Sequence, residues 1–520
     1  MLRRPAIPIA NRAARTARPL LCGHLPWLRA GTAGLAALLP GCAVGPNYHR
    51  PPGPAATRFT EAPLRPAAQP GGQAQSFTPN ADVPGDWWAL FRSPALTSLI
   101  ATALRQNPTL EAAAATLRQT QEAAIAQKGA FFPNLSAQLT RTRQKFSGAE
   151  AGLVGPQAQS QTFGYYNGQL NVSYTFDVWG QIRRGVQASE AAANAQRFQL
   201  EGAANMLAAN VAGAAINTAS LAAQIAAEQK LITAEQRLLA TVQSQFQLGA
   251  ATGTDVATQQ AQLANTQALV VPLRTQLQQA RDQLAAYLGQ TAEQGGIPTI
   301  TLQDLTLPGT LPVSLPSHLV DQRPDIRAAE AQLQQATANV GVAIANRLPQ
   351  FTLTGAFGSA PARIGDLFTP GNGIFTLITQ ALAPIFSGGQ LLHQQRAAVA
   401  AAQAAGLTYR ATIINAFQNV ADTLTALQGD TDALAANEAA ERAAARSLEL
   451  AQIQYGAGGI AYITVLTSQT QYQNAVIGQI RAQAARYTDT VALYVALGGG
   501  WWNRNDLPAA PEPLLGSLLP

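Results

Sequence analysis

Cysteine is all but missing from this sequence. Only Cys22 and Cys42 occur in 520 residues, and Cys22 falls in a stretch that reads as a leader, so an exported chain has no disulfide, zinc ribbon or thiol nucleophile. Aromatics are also scarce, at 6%, and the 47% hydrophobic fraction rests largely on alanine, which argues against a thick, interlocking globular core. Beyond the leader the histidines are His49, His318 and His393, far apart and without metal-ligand spacing. No GxSxG, HExxH or Walker A string is present, and GAGG at 456–459 lacks the third glycine of a dinucleotide loop. Asp430 and Asp432 are two apart, so on a helix they share no face. The sequence therefore points away from an enzyme, with no cofactor and no metal expected.

The formal charge of +6 has a local origin. Residues 1–41 hold six arginines (Arg3, Arg4, Arg12, Arg15, Arg18 and Arg29) and no acid, so the remainder is neutral and offers nucleic acid no electrostatic footprint. Arginines, then a short apolar stretch at 30–39, then small residues before a cysteine read as an export signal. Leu39-Pro40-Gly41-Cys42 resembles a bacterial lipobox, with Cys42 as the lipidation site, although Pro40 is unusual there. One acyl-bearing cysteine gives an anchor to outer-membrane lipid without a transmembrane helix, and Ala43 after it favours the outer membrane by the usual sorting rule. No apolar run long enough to span a bilayer is expected beyond the leader.

The chain carries one plan twice. Residues 104–135 lie on 320–351 at an offset of 216, pairing Leu110 with Ile326, Leu117 with Leu333 and Pro133 with Pro349. Gly180-Gln181 matches Gly389-Gln390 at 209, and Gly249 matches Gly456 at 207; chance is a poor account of this. Each half opens with a helix started by proline. Two strands follow: 134–145 with 170–178 in the first half, 350–358 with 374–386 in the second. The best has Leu170, Val172, Tyr174, Phe176 and Val178 alternating with Asn171, Ser173, Thr175 and Asp177, one apolar face and one polar. The second-half signals are weaker.

Proline then disappears, between Pro156 and Pro272 and between Pro384 and Pro508, and good helix formers fill the gap. A single helix over 182–248 is roughly 100 Å long, several times the roughly 25 Å apolar band of an outer-membrane barrel. It must stand in water. Its Ala, Gln, Asn, Ser and Thr suit a hollow cylinder of helices better than a solid bundle. Four strands per chain cannot close a barrel, and open edges in lipid are not tolerated. Three copies supply twelve strands. The predicted fold class is thus an α+β membrane protein, a trimeric 12-stranded β-barrel continuous with a long α-helical barrel, built on a two-fold internal repeat. A small soluble sheet capping a coiled coil remains the alternative.

Several motifs resemble those of the TolC-like outer-membrane efflux proteins, lipoprotein branch, of OprM and NodT type. They are CAVGPNYHRP (42–51), DWWALF (86–91), DVWGQIRRG (177–185), RPDIRAAEAQLQ (323–334) with LPQFTLTGAFG (348–358), and ALGGGW (496–501). The resemblance implies a homotrimeric passive conduit with a periplasmic tube. A periplasmic adaptor would meet its tip, and an inner-membrane pump, of the proton-driven RND type, would supply energy. The implied layout is a signal peptide at 1–41, a lipidated segment at 42–95, repeats at 96–310 and 311–498, and a tail at 499–520 that completes an equatorial belt.

The tube's inner end is expected at the two helix-to-helix turns, 245–256 and 452–466, each with a cap glycine, Gly249 and Gly456. Asp255 is the sole charge in the first, and 452–473 carries none. Gate candidates are therefore Asp255, as a cation-attracting ring or a helix cap, and Tyr455, Ile460 and Tyr462, as a closure or as packing anchors. Arg183 and Arg184 are expected to pair with neighbours. Small-molecule efflux is the expected function, with type I protein secretion or metal-ion efflux as alternatives on this scaffold and a lipid-anchored scaffold without a pore as the alternative of another class.

Overall fold

The computed structural model describes residues 43–53, 56, 58–61, 63, 75–147, 155, 160–314 and 316–504. Cys42 and the residues before it lie outside that set. The elements are β1 (Ser76–Pro79), α1 (Pro94–Gln106), α2 (Pro108–Lys128), β2 (Asn134–Phe146), β3 (Gln161–Phe176), α3 (Gln181–Gln247), α4 (Gly253–Tyr287), β4 (Thr310–Val313), α5 (Pro316–Gln322), α6 (Pro324–Ala345), β5 (Gln350–Ser359), β6 (Gly373–Leu382), α7 (Gln390–Gly456) and α8 (Tyr462–Ala496).

The repeat is more regular than the letters suggest. Both long helices, α3 and α7, have 67 residues, and both return helices, α4 and α8, have 35. Every boundary from Gln181 and Gln390 onward differs by 209. The drift to 207 at the turn is therefore corrected: the left-handed glycine matching Gly249 (φ 75°) is Gly458 (φ 74°), whereas Gly456 ends α7. The hydrogen bonds agree, since Gly249 N and Ala250 N reach Phe246 O and Gln245 O, while Gly458 N and Gly459 N reach Tyr455 O and Gln454 O. This is the Schellman closure that satisfies the last helical carbonyls.

Strands β2, β3, β5 and β6 form one antiparallel sheet in that order. Its register sorts side chains by face. Leu135 stands opposite Val172, Val172 opposite Gly355, and Gly355 opposite Leu377, with Ala137, Leu170, Phe357 and Phe375 in the next row. The other face carries Ser136, Asn171, Ala356 and Thr376, then Gln138 and Gln169. Along it Asn167 donates to Gln169 at 3.3 Å and Gln169 to Asn171 at 2.9 Å. On the apolar face Phe375 is 81% exposed and Phe357 and Leu377 70%. The strands stop short of two expected ends: β3 at Phe176, before Val178, and β6 at Leu382, before Ile385 and Phe386. Proline at 384 removes a ladder donor there.

The helices pack as a single rank. α3 packs against α2, α4, α6 and α8, while α7 packs against α6 and α8. One window of α3 is apolar enough to cross a membrane, contrary to the expectation that no such run exists, but 61% of it is buried among the other helices. The core lies at mid-height, where the short helix Trp87–Phe91 is wedged under α8: Trp87 is fully buried and stacks on Tyr494 at 5.5 Å. The ALGGGW motif closes this belt. Gly500 has φ 68°, and a Cβ there would lie 2.3 Å from Pro84 O and 2.6 Å from Val83 O. Only a residue without a side chain fits. Gly500→Ala is expected to lower the thermal midpoint by several degrees, because backbone must move to admit the methyl. A wild-type melt of that variant would count against this packing.

Candidate functional site: the two ends of the helical rank

At the strand-side end, Asp177 organises the junction. Its carboxylate accepts from Ile182 N at 2.8 Å, Arg183 N at 3.0 Å and Arg183 Nε at 3.0 Å. It thus caps α3 across Gly180, whose φ is 78°. Arg184, 4% exposed, turns the other way: Nε donates to Val44 O at 3.2 Å, and Nη2 to Gly45 O at 3.3 Å and Asn47 Oδ1 at 2.8 Å. Val44 N donates to Trp179 O at 2.9 Å, and Ala43 lies so close to Gly180 that a Cβ there would meet it at 2.7 Å. Both arginines therefore have neighbours, and the segment from Ala43 to Asn47 is fixed at the strand-to-helix junction.

The RPDIRAAEAQLQ segment extends this pinning. Arg50 reaches Asp321 at 2.7 Å and Glu330 at 3.3 Å, Arg327 reaches Glu330 at 3.0 Å, and Tyr48 OH donates to Glu330 at 3.1 Å. Burial, and then Glu330, push the Tyr48 pKa up. Arg323 pairs with Asp325 at 2.7 Å and caps α8 through Ala496 O at 2.9 Å. The motif is thus an ionic clasp holding the N-terminal segment and the belt to α6.

The far end is built from the two turns. Asp255 is the third residue of α4 and closes a capping box: its carboxylate accepts from Thr252 N at 2.8 Å and Thr252 Oγ1 at 2.7 Å, and its own N–H donates to Thr252 Oγ1 at 3.2 Å. In the counterpart turn Ala461 precedes α8 at the cap position and offers no side-chain cap. Aromatic packing replaces it. Tyr462, 5% exposed, bonds through its hydroxyl to Gln259 and lies 5.1 Å from the Tyr455 ring. Tyr455 OH donates to Gln245 at 3.2 Å, crossing to the other hairpin. Val242, Ala451, Val465 and Leu466 are the buried core here, with Tyr455 and Ile460 packed on it. Burial first, then Tyr455 and Asp255, push the Tyr462 pKa up; burial and Asp255 do the same to Tyr455.

The turns therefore bring Asp255, Tyr455, Ile460 and Tyr462 together at one tip. Composition did not reveal the polar seam above them. On α3, Glu228, Leu231, Glu235 and Val242 share a buried stripe at spacings of three, four and seven, the periodicity that marks a helix seam. Gln473 donates to Glu228 at 2.8 Å, and Gln469 and Thr266 donate to Glu235 at 2.6 and 2.9 Å. The partner of Asp430 is likewise across helices, not along one: Asp489 of α8 faces it, and burial followed by that carboxylate push Asp430 up to about 7 against the pull of Arg486.

The sequence profile described as outer membrane efflux protein matches residues 99–290 and 315–499, one block per repeat. This chain belongs to the outer membrane efflux protein family. The toluene efflux pump outer membrane protein TtgF of Pseudomonas putida is 30% identical over 493 residues, covering 92% of this chain and 98% of that protein. The pyoverdine export outer membrane protein OpmQ, also of Pseudomonas putida, is 31% identical over 417 residues, 80% and 88% of the two chains. The outer-membrane channel OprN superposes with a TM-score of 0.79 at 24% identity, covering 88% of this chain and all of that one; at this identity the likeness speaks for the fold. As a family member the protein resides in the outer membrane and works in efflux. Asp255→Ala is expected to lose about 1 kcal/mol of local stability with its capping box and to speed amide exchange over 252–258. Unchanged exchange would remove the cap role.

Proposed function

We propose that three copies of this outer membrane efflux protein close into one continuous conduit, a twelve-stranded barrel set on a twelve-helix tube, that passes small molecules across the outer membrane. The observation that carries this reading is the sheet. Its edges, β2 and β6, have no strand partner among the described residues, and its apolar face is exposed while its polar face carries a side-chain ladder. In lipid such edges demand pairing. β6 of one copy against β2 of the next closes the ring, apolar face to lipid and polar face to the lumen. The rank of helices has matching free sides, α7 at one edge and α2 with α4 at the other, so α7 would pack on the next copy much as α3 packs on α6 and α8.

In this reading residues 42–95 and 499–520 form a belt with the ends of the repeats 96–310 and 311–498. Cys42 carries the lipid: Ala43, its chain neighbour, sits at the strand-to-helix junction, the level at which a barrel leaves the bilayer. The tips meet a periplasmic adaptor, and an inner-membrane pump, of the proton-driven RND type, provides the work. Efflux of small molecules accords with relatives named for toluene and pyoverdine. The tip residues act by clamping: Asp255 as a cap and Tyr455, Ile460 and Tyr462 as an apolar clasp between hairpins, because a Tyr462 buried within one chain is not available to plug a lumen.

Purified protein is expected to crosslink as trimers and to form water-filled pores in planar bilayers. Folded protein that leaves membranes closed at every voltage would favour a scaffold without a pore. Separately, Cys42→Ser should abolish metabolic labelling with a radioactive fatty acid; labelling that persists would remove the anchor.

A further inference from the structure

Glu235 is a buried acid with nothing positive beside it among the described residues. Its side chain is fully buried within a single chain, so a neighbouring copy cannot reach it. Oε1 accepts from Gln469 Nε2 at 2.6 Å and Thr266 Oγ1 at 2.9 Å, with Gln262 at 3.5 Å. Oε2 has no partner, and neither does Oε1 of the same Gln469, itself 3% exposed. Two acceptor oxygens on hydrogen-bonded neighbours thus lack one donor between them. Leaving both unsatisfied in the interior is costly, and an unpaired buried carboxylate is costlier.

The groups facing this point are countable. From α3 comes Glu228, two turns away and held by Gln473; from α4 come Gln259, Gln262 and Thr266; from α8 come Gln469 and Tyr462, with Asp255 and Tyr455 further toward the tip. The charges are all acids. Lys230 and Glu441 line the cleft beyond Glu228, Arg481 is engaged with Gln224 at 3.2 Å, and Arg446 pairs with Glu449 at 2.7 Å on exposed side chains. Burial, the largest cause, and Glu228, the smallest, push the Glu235 pKa up against three side-chain hydrogen bonds. The repeat supplies a comparison. At the offset of 209, Glu235 corresponds to Ala444 and Glu228 to Asn437, so neither acid has an acidic counterpart at its own position in the second repeat.

We infer that Glu235 is a proton-binding site in the seam between α3, α4 and α8, occupied when the seam is closed, with the proton on Oε2 donated to Gln469 Oε1. Release of that proton to solvent leaves a carboxylate facing the amide oxygen, two acceptors in repulsion, and loosens α8 from α3. The folded chain holds this proton more tightly than the unfolded chain. The stabilisation is therefore complete below the ordinary glutamate range and is lost as pH rises through the elevated value. The tip should be clasped in acid and freed toward neutral or alkaline pH, and only within a chain, since α7 has Ala444 at the position of Glu235.

Infrared spectra of the full-length protein, labelled with isotopic glutamate to set aside the Asp430 pair, test the site directly. A protonated glutamate carboxyl band is expected to persist above the ordinary glutamate range, fading on alkalinisation, absent in Glu235→Gln and retained in Glu228→Gln. No such band from pH 5 upward would overturn the site. Glu235→Gln imitates the neutral acid, so its melting point should match wild type near pH 5 and exceed it by several degrees near pH 8. A gap that does not change with pH would also overturn it. These two measurements do not depend on the duct reading. In bilayers, which do, opening frequency should rise severalfold from pH 5 to 8 in wild type and stay level in Glu235→Gln; level wild-type openings beside an intact band would overturn the latch alone.

Discussion

Backbone groups cannot be left unpaired in lipid, and four strands cannot pair them all. That constraint governs the rest of the molecule. In the proposed assembly the two sheet edges are completed by other copies, and the helices of each chain, laid out as a rank with two free sides among the described residues, would follow the same symmetry. Alanine abundance follows from this geometry. Helices that enclose a space have little interior to fill, so side chains need only permit close approach. The large apolar residues are kept for mid-height, where Trp87, Phe91, Tyr487 and Tyr494 brace the belt, and for the tip.

The two ends of the rank are fastened by different physics. Beside the sheet the fasteners are ionic and polar: Asp177 caps α3, Arg184 grips the carbonyls of Val44 and Gly45, and Arg50 joins Asp321 and Glu330. Such a clasp fixes position and tolerates no slack. Toward the tip the fasteners are amides, a capping box, two tyrosines and the buried acids of α3, a set that can be undone without breaking a large core. The division suits a conduit that stays anchored at one end and changes aperture at the other.

Much of this was legible in the letters. Proline gave the starts of α2 and α6 to the residue, although these helices end five and four residues before Pro133 and Pro349, and the alternation through Leu170, Val172, Tyr174 and Phe176 gave the best strand and its faces. Strand β6 was harder to read because Ile374 and Ile378 stand on the polar face and break the period. Matching Gly249 to Gly456 failed because an identical letter outweighed hydrogen-bond geometry, and two more residues of helix fit before the left-handed cap at Gly458. The acids of α3 stayed hidden for another reason. Glutamate is common on solvated helix faces, and only the packing of α4 and α8 reveals that Glu228 and Glu235 occupy seam positions. Arg183 and Arg184 were legible as residues that bind neighbours, though not which ones, and Arg50 gave no local signal, since its partners lie across the fold.

The equal lengths of the paired helices bear on how this chain can change. Because α3 and α7 each run 67 residues and α4 and α8 each 35, both turns end at the same depth. Three copies would present six tips in one plane, as the legs of a table do. A single insertion in either hairpin would tilt that rim and spoil any seating against it. Length variation is therefore tolerable only when both halves change together by whole helical repeats, which binds the two repeats to a common ruler long after their sequences have diverged.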